Sequence, residues 1–314
     1  MDRRSGWALA LLSAASFGTS GVFATALLEA GWSAGAAVTV RVALAALVLT
    51  PFAVVQLRGR WTLLRRNAGV VVAFGVLAVA GCQLAYFLAV SRLSVGVALL
   101  LEYSGVVLVV LWTWLRSRRA PSPTTLAGVA VAVAGLVLVL DVVRGVRVDA
   151  LGVGYGLLAG LGLAVYFIVS ARTDDALPPL VTAWGGMAVG AAVLGGAAVA
   201  GVLPWATSAA DVALAGTTTS WLLPVLGLSL VAAALAYGSG VAAVQRLGSR
   251  LASFTGLTEV LFAVLFAWVA LGQQPGPVQG IGAAVVLGGI VLVKLGERPA
   301  DEPLTVEPVP AGQS

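Results

Sequence analysis

Apolar residues fall into ten runs of about 20 residues, near 6–28, 35–56, 69–90, 94–115, 122–140, 151–171, 178–202, 221–244, 251–272 and 277–296. Each is long enough to cross the hydrocarbon layer of a bilayer as a helix. Alternation with period two is absent, and an open sheet would leave backbone groups unpaired in lipid, so the runs are read as helices. The first run is too long and too rich in Gly and Ser for a cleaved leader, and no small-residue cleavage site follows a short apolar core. It is kept as the first helix. Residues 299–314 are polar, acidic and Pro-rich, the composition of a disordered tail.

Two of the runs are copies. Pro123-Thr-Thr-Leu-Ala-Gly128 leads to Gly135-Leu-Val-Leu-Val139, and Pro277-Val-Gln-Gly-Ile-Gly282 leads to Gly289-Ile-Val-Leu-Val293. The offset of 154 extends back without a gap through Trp114 and Trp268, Ala98 and Ala252, to Arg92-Leu93 and Arg246-Leu247. Identities among Ala, Val, Leu and Gly are cheap in such a chain, but matching Pro, Trp and Arg at one offset are not. The chain reads as an internal duplication, with one five-helix repeat over 1–145, a second over 146–298, and the tail.

Composition agrees. The chain is 60% hydrophobic and 10% charged, with mean hydropathy +1.03, against about a quarter charged in soluble domains. Lipid is its solvent, and its 39 glycines suit helices packed closely there. With no histidine, His triads, His metal sites and His proton relays are excluded. The single Cys82 cannot form an intrachain disulfide and is read as a packing residue. The 18 cations include one Lys. Scattered through short loops, the arginines fit membrane topology rather than nucleic acid. With the N-terminus in the cytoplasm, 14 of the 18 fall inside, Arg92, Arg144 and Arg147 fall outside, and Arg41 lies within a helix. That asymmetry places both termini in the cytoplasm.

Five helices per repeat is an odd number, so the second repeat enters the membrane upside down. The expected fold is all-α and integral to the membrane, with ten transmembrane helices in two inverted-topology repeats. Secondary transporters built this way hold substrate between the halves and rock them for alternating access.

At this point the chain resembles the EamA-type transporters of the drug/metabolite transporter superfamily over nearly its whole length. The match is carried by Val38-Thr-Val-Arg41-Val-Ala-Leu-Ala in the second helix, Glu259-Val-Leu-Phe-Ala-Val-Leu-Phe-Ala-Trp-Val-Ala-Leu-Gly272 in the ninth, and Pro277 through Val293 in the last. The resemblance implies a central cavity lined by both halves, and export or exchange of small metabolites or drugs. The family often has Glu-Pro where this chain has Glu259-Val260, and often ends helices four and nine in Leu-Gly-Glu. Here they end Leu115-Arg116-Ser117 and Leu271-Gly272-Gln273, so no role is carried over for that terminal glutamate. The seventh helix has Val181-Thr-Ala-Trp184 where the second has Val38-Thr-Val-Arg41, so the arginine belongs to one half.

Charges within helices are the sharpest chemical signal, since each costs roughly 2.5–3.5 kcal/mol at a helix centre on insertion scales. Glu102 lies midway along helix four and Glu259 midway along helix nine. On the 154 offset they are three positions apart, nearly one turn, so both are expected to face the interhelical cavity. They are candidates for contact with a substrate cation or for proton exchange; the bland alternative is a packing role. Arg41 either snorkels to the outer interface or pairs with Glu102 or an anionic substrate group. Softer candidates are Tyr103 beside Glu102, Gln83 and Tyr86 on one face of helix three, and Tyr237, read as an echo of Tyr86 three residues out of register. Tyr166 on helix six, Thr255 one turn before Glu259, and Trp184 complete the set. Arg92 and its repeat Arg246 are read as loop anchors.

An intramembrane enzyme lacks its nucleophile and base, and no P-loop or metal-ligand spacing appears; no cofactor is called for. A channel would need a polar pore stripe, and the longest loop, near 203–220, is too short for a receptor domain. Secondary export of a small amino-acid-like, nucleobase-like or amphiphilic cationic solute, with protons as a candidate coupling ion, is the leading reading. A non-coupled facilitator or an inert membrane bundle is the alternative. A homodimer is left open. The bias toward Arg, Ala, Val and Gly points to a GC-rich bacterial genome and an inner membrane.

Overall fold

The computed structural model describes residues 3–90, 92–93, 95–118, 120–139, 149–171, 177–272 and 274–296. Arg144, Arg147, the boundary near 145 and the tail 299–314 lie outside them. Nine described helices are long and apolar enough to cross a membrane: α1 (Arg4–Glu29), α2 (Ala34–Leu57), α3 (Ala68–Ala89), α4 (Ala98–Ser117), α6 (Ala150–Ser170), α7 (Pro179–Val199), α8 (Leu222–Leu247), α9 (Ser249–Ala270) and α10 (Pro277–Gly296). Between α4 and α6 lies the shorter apolar helix α5 (Pro123–Val139). Ser33 caps α2 by accepting from the Ala36 amide at 3.2 Å, and Asp149 caps α6 by accepting from Gly152 at 2.7 Å. Gly248, at φ +81°, turns the chain between α8 and α9.

One end of the bundle is basic, with Arg58, Arg60, Arg65, Arg66, Arg116, Arg118, Arg246, Arg250 and Lys294 near helix ends there. Lys294 stands 5.0 Å over the Trp7 ring and ties α10 to α1 at this end. The opposite end carries an element absent from the all-α expectation: a hairpin of β1 (Val212–Leu214) and β2 (Thr217–Thr219), paired antiparallel. Ala215 and Gly216 turn it at φ +51° and +75°, the two positive values a tight two-residue hairpin turn needs. Trp32 Nε1 donates to Ser208 O at 2.8 Å and Ser33 Oγ to Pro204 O at 2.8 Å, pinning this loop to the α1–α2 turn.

The duplication is visible as reciprocal contacts. A Cβ at Gly128 of α5 would come within 2.7 Å of the Val293 amide nitrogen on α10, and a Cβ at Gly282 within 2.6 Å of that of Val139. Gly135 meets Val286 as Gly289 meets Ala132. Every partner pair is exchanged by the 154 offset. As numbers rise on α5 they fall on α10, so the equivalent helices pack antiparallel with their backbones in contact. Elsewhere, Gly6 of α1 abuts Arg246 and Leu247 as Gly152 of α6 abuts Arg92 and Leu93, which sets a 146 offset for α1 and α6.

Local irregularities repeat as well. α3 winds as a π-helix over Phe74–Gly81 and α8 over Gly227–Leu235. α4 breaks at Ser104 and α9 at Leu257. Next to these breaks Ser104 Oγ donates to Leu101 O, and Thr258 Oγ1 donates to Thr255 O at 2.7 Å. Such back-bonding competes with the helical ladder and bends it. Glu102 and Glu259 sit beside these two bends.

Candidate functional site

A cavity of about 260 Å³ lies between the repeats, lined from α1, α2, α3, α4, α6, α8 and α9. Eight of the ten residues singled out from the sequence line it: Arg41, Gln83, Tyr86, Glu102, Tyr103, Tyr166, Tyr237 and Glu259. The other two do not. Trp184 turns its Nε1 to Thr50 Oγ1 at 2.9 Å on α2, and Thr255 donates to Leu251 O at 2.7 Å within its own helix.

Arg41 is buried at 6% exposure. Its Nη1 donates to Ser20 Oγ at 3.2 Å, and Nη2 donates to the carbonyl of Ala232 in the α8 π-segment. No ion pair joins it to Glu102 or Glu259. Gln83 Nε2 donates to the Tyr237 hydroxyl at 3.1 Å, and that hydroxyl lies 3.4 Å from the carbonyl of Ala78 in the α3 π-segment. Ala78 and Ala232 are equivalent at 154. Both π-segments therefore offer a carbonyl to a cavity side chain, in keeping with the frequency of π-turns at working sites. Gln83 and Tyr237 are themselves 154 apart. The sequence reading matched Tyr237 to Tyr86; the structure pairs it with Gln83.

Glu102 and Glu259 are half-buried on the cavity wall. Cys82 Sγ lies 3.5 Å from Glu102 Oε1 and 3.3 Å from Ala159 O, so the residue read as packing also faces the site. The Tyr103 hydroxyl approaches Gly256 O at 3.4 Å, joining α4 to α9. Phe17 and Tyr166 stand edge-on to Tyr237, with ring centroids 5.0 and 5.5 Å away. Ser13, Phe167 and Gly240 also line the cavity and drew no attention in the sequence. A Cβ at Gly240 would collide with the Tyr166 hydroxyl, a fit that only the fold reveals.

Three buried polar atoms of the lining have no hydrogen-bond partner: Arg41 Nε, Gln83 Oε1 and Tyr166 OH. Buried polar groups are ordinarily paired, and these three atoms belong to side chains that line the same cavity. Among the described residues no cluster of three or more His, Cys, Asp or Glu could hold a metal. At the hairpin end the cavity is bordered by exposed Gly21, Thr25 and Leu28; at the basic end by buried Ala10, Ala243, Val244 and Ala252.

Fold and cavity together define a multi-pass membrane protein with a polar site between two repeated halves. The sequence profile of the EamA-like transporter family matches residues 4–141 and again 150–295, and the chain belongs to that family. No curated protein matches it. A solved structure described as "Crystal structure of protein" is similar in fold, with TM-score 0.73 and 19% identity, over 94% of this chain and 98% of that one.

Proposed function

We propose that this chain is a secondary transporter that exports one small solute across a bacterial inner membrane by alternating access. In this reading α5 is the tenth membrane helix, the repeats are inverted, and both termini and the basic end face the cytoplasm. The antiparallel seating of α5 on α10 supports the inversion, and the arginine asymmetry supports the orientation. The observation that carries transport is the cavity between the repeats, with two carboxylates and one guanidinium among the side chains around about 260 Å³. That space suits a single amino-acid-like or nucleobase-like molecule better than a bulky amphiphile. Glu102 has no cationic partner at ion-pair distance. Its charge is offset by a proton or by a cationic group on the substrate, which makes it the candidate for coupling.

The test is reconstitution in liposomes with a pH-sensitive dye inside and a panel of amino acids, nucleobases and small cations. Wild type should move protons when its substrate is added, and Glu102→Gln should lose that movement. Proton movement unchanged in Glu102→Gln transfers the role to Glu259. Flux of labelled substrate with no pH change would make the protein a uniporter or exchanger and overturn the coupling.

A further inference from the structure

The bundle holds a second cavity, of about 670 Å³, at its basic end. Its wall includes Asn67 of the α2–α3 turn, Arg116 of α4, Ser170 of α6, Thr182 of α7, Gln245 of α8 and Ser249 of α9. Ser170 Oγ is buried there without a partner. Among the described residues no acidic side chain lines it, in contrast to the two glutamates of the first cavity.

On α6, α8 and α9 the linings of the two cavities come within one helical turn of each other, while on α3 (Val71 and Ala78) and α4 (Tyr103 and Trp112) they stand about two turns or more apart. On α6, Tyr166 and Phe167 line the first while residues 168–171 line the second; on α8, Val244 lines the first and Gln245 the second; on α9, Ala252 and Ser249 divide likewise. Of the two aromatic residues at this boundary on α6, Tyr166 turns its ring to Tyr237 in the first cavity, and Phe167, 6% exposed, is the wholly apolar one. Its ring reaches across to α9, where a Cβ on Gly256 would lie 3.1 Å from Cζ. At the 146 offset the counterpart of Phe167 is Gly21. Gly21 is exposed, borders the mouth at the hairpin end, and has open space where a Cβ would be. Equivalent positions thus carry a phenyl ring where the path is shut and a bare backbone where it is open.

We propose that the second cavity is the cytoplasmic half of the transport path, taking the same small polar solute, and that Phe167 is the side chain that separates it from the substrate cavity. This rests on the transporter reading and adds a route and a gate to it. An apolar ring suits the task, because it excludes water and ions while its removal leaves no buried charge unpaired.

Cys82 is the protein's one cysteine and lines the first cavity, so it reports access without engineering. Right-side-out and inverted membrane vesicles are treated with a small membrane-impermeant methanethiosulfonate cation. Wild-type Cys82 should react from the outer side about tenfold or more faster than from the cytoplasmic side. Phe167→Gly should react from the cytoplasmic side about tenfold faster than wild type, reflecting a shift in the population of open paths. Gly21→Phe, which places a ring in open space, should slow the outer reaction by a similar factor. Retained outer labelling in Phe167→Gly certifies its fold, and Gly21→Phe still decides if that variant is lost. Cytoplasmic labelling of a folded Phe167→Gly no faster than wild type overturns the gate. So does wild-type labelling equal from both sides, or outer labelling unchanged in Gly21→Phe. Substrate flux is measured separately, so a protein that carries no solute yet shows the expected sidedness would sink the transporter reading and spare the barrier.

Discussion

The seam between α5 and α10 and the cavity between the repeats are built from the same duplication and have diverged in opposite ways. Along the seam the glycine contacts are repeated: Gly128 with Val293 and Gly282 with Val139, Gly135 with Val286 and Gly289 with Ala132. Around the cavity the equivalent positions differ. Arg41 stands opposite Trp184, Gln83 opposite Tyr237, Glu102 opposite Gly256 and Gly105 opposite Glu259. Backbone-to-backbone packing tolerates only hydrogen at the contact, so both copies keep their glycines. A site that holds one asymmetric solute, as proposed for this cavity, gains nothing from two identical walls. Retained symmetry marks scaffold here, and broken symmetry marks chemistry.

The largest effect should come from disturbing the seam. In Gly282→Leu the new side chain meets the Val139 nitrogen at 2.6 Å and the Gly135 oxygen at 2.9 Å, and backbone atoms of a packed helix cannot step aside. Overpacking of this kind costs about 3 kcal/mol or more, read as a fall in the thermal unfolding midpoint in detergent. Gly280, two residues away, has open space at its Cβ, and Gly280→Leu should unfold with wild type. Equal midpoints for the two variants would mean that α5 and α10 do not touch in this register.

The cavity side of the comparison is tested at Arg41 and its counterpart. Arg41→Met removes the guanidinium that faces the site, and substrate flux per folded protein should fall on the order of tenfold or more. Trp184→Phe removes the hydrogen bond to Thr50 and part of the packed ring, but no charge. It should cost about 1 kcal/mol of stability and leave flux within about twofold of wild type. Similar flux losses in both variants would restore a symmetric role to the two positions and weaken the distinction between scaffold and site.

Much of this division was legible in the chain. Apolar runs separated by arginines gave the helices to within a few residues, because lipid leaves the backbone no other choice. Arg41, Glu102 and Glu259 stood out because a charge within such a run needs a reason to be there. The π-segments were not legible: shifting the hydrogen-bond register within an all-apolar stretch leaves no mark in composition. Nor could the sequence direct the hydroxyl of Thr255 to its own backbone or the indole of Trp184 to Thr50, since a helix apolar all round does not show which side is inward. The hairpin escaped because its six strand residues are too few for a periodic pattern and its turn is Ala-Gly rather than Asn-Gly. Phe167 looked like any other apolar residue until its partner across the bundle was a glycine.

The smallest predicted effect falls where the two regions meet. Gln83 and Tyr237 are equivalent residues that touch each other, so their hydrogen bond lies on the line where one repeat passes into the other. It is buried, with Gln83 8% and Tyr237 5% exposed, and a net contribution of about 1 kcal/mol is expected of it. Tyr237→Phe leaves the Gln83 amide short of an acceptor in a site where Gln83 Oε1 is already unpaired. Gln83→Leu leaves the tyrosine hydroxyl with its 3.4 Å contact to Ala78 O, so it should be the milder change. If the pair acts as a unit, the double variant should be less destabilised than the sum of the singles by about 0.5–1.5 kcal/mol. Additive losses would place the two side chains apart for most of the time, each serving its own repeat. The same cycle read in substrate flux then decides what the contact is for. Coupling in stability alone makes it part of the scaffold, like the glycine seam, whereas coupling in flux at unchanged stability makes it part of the site.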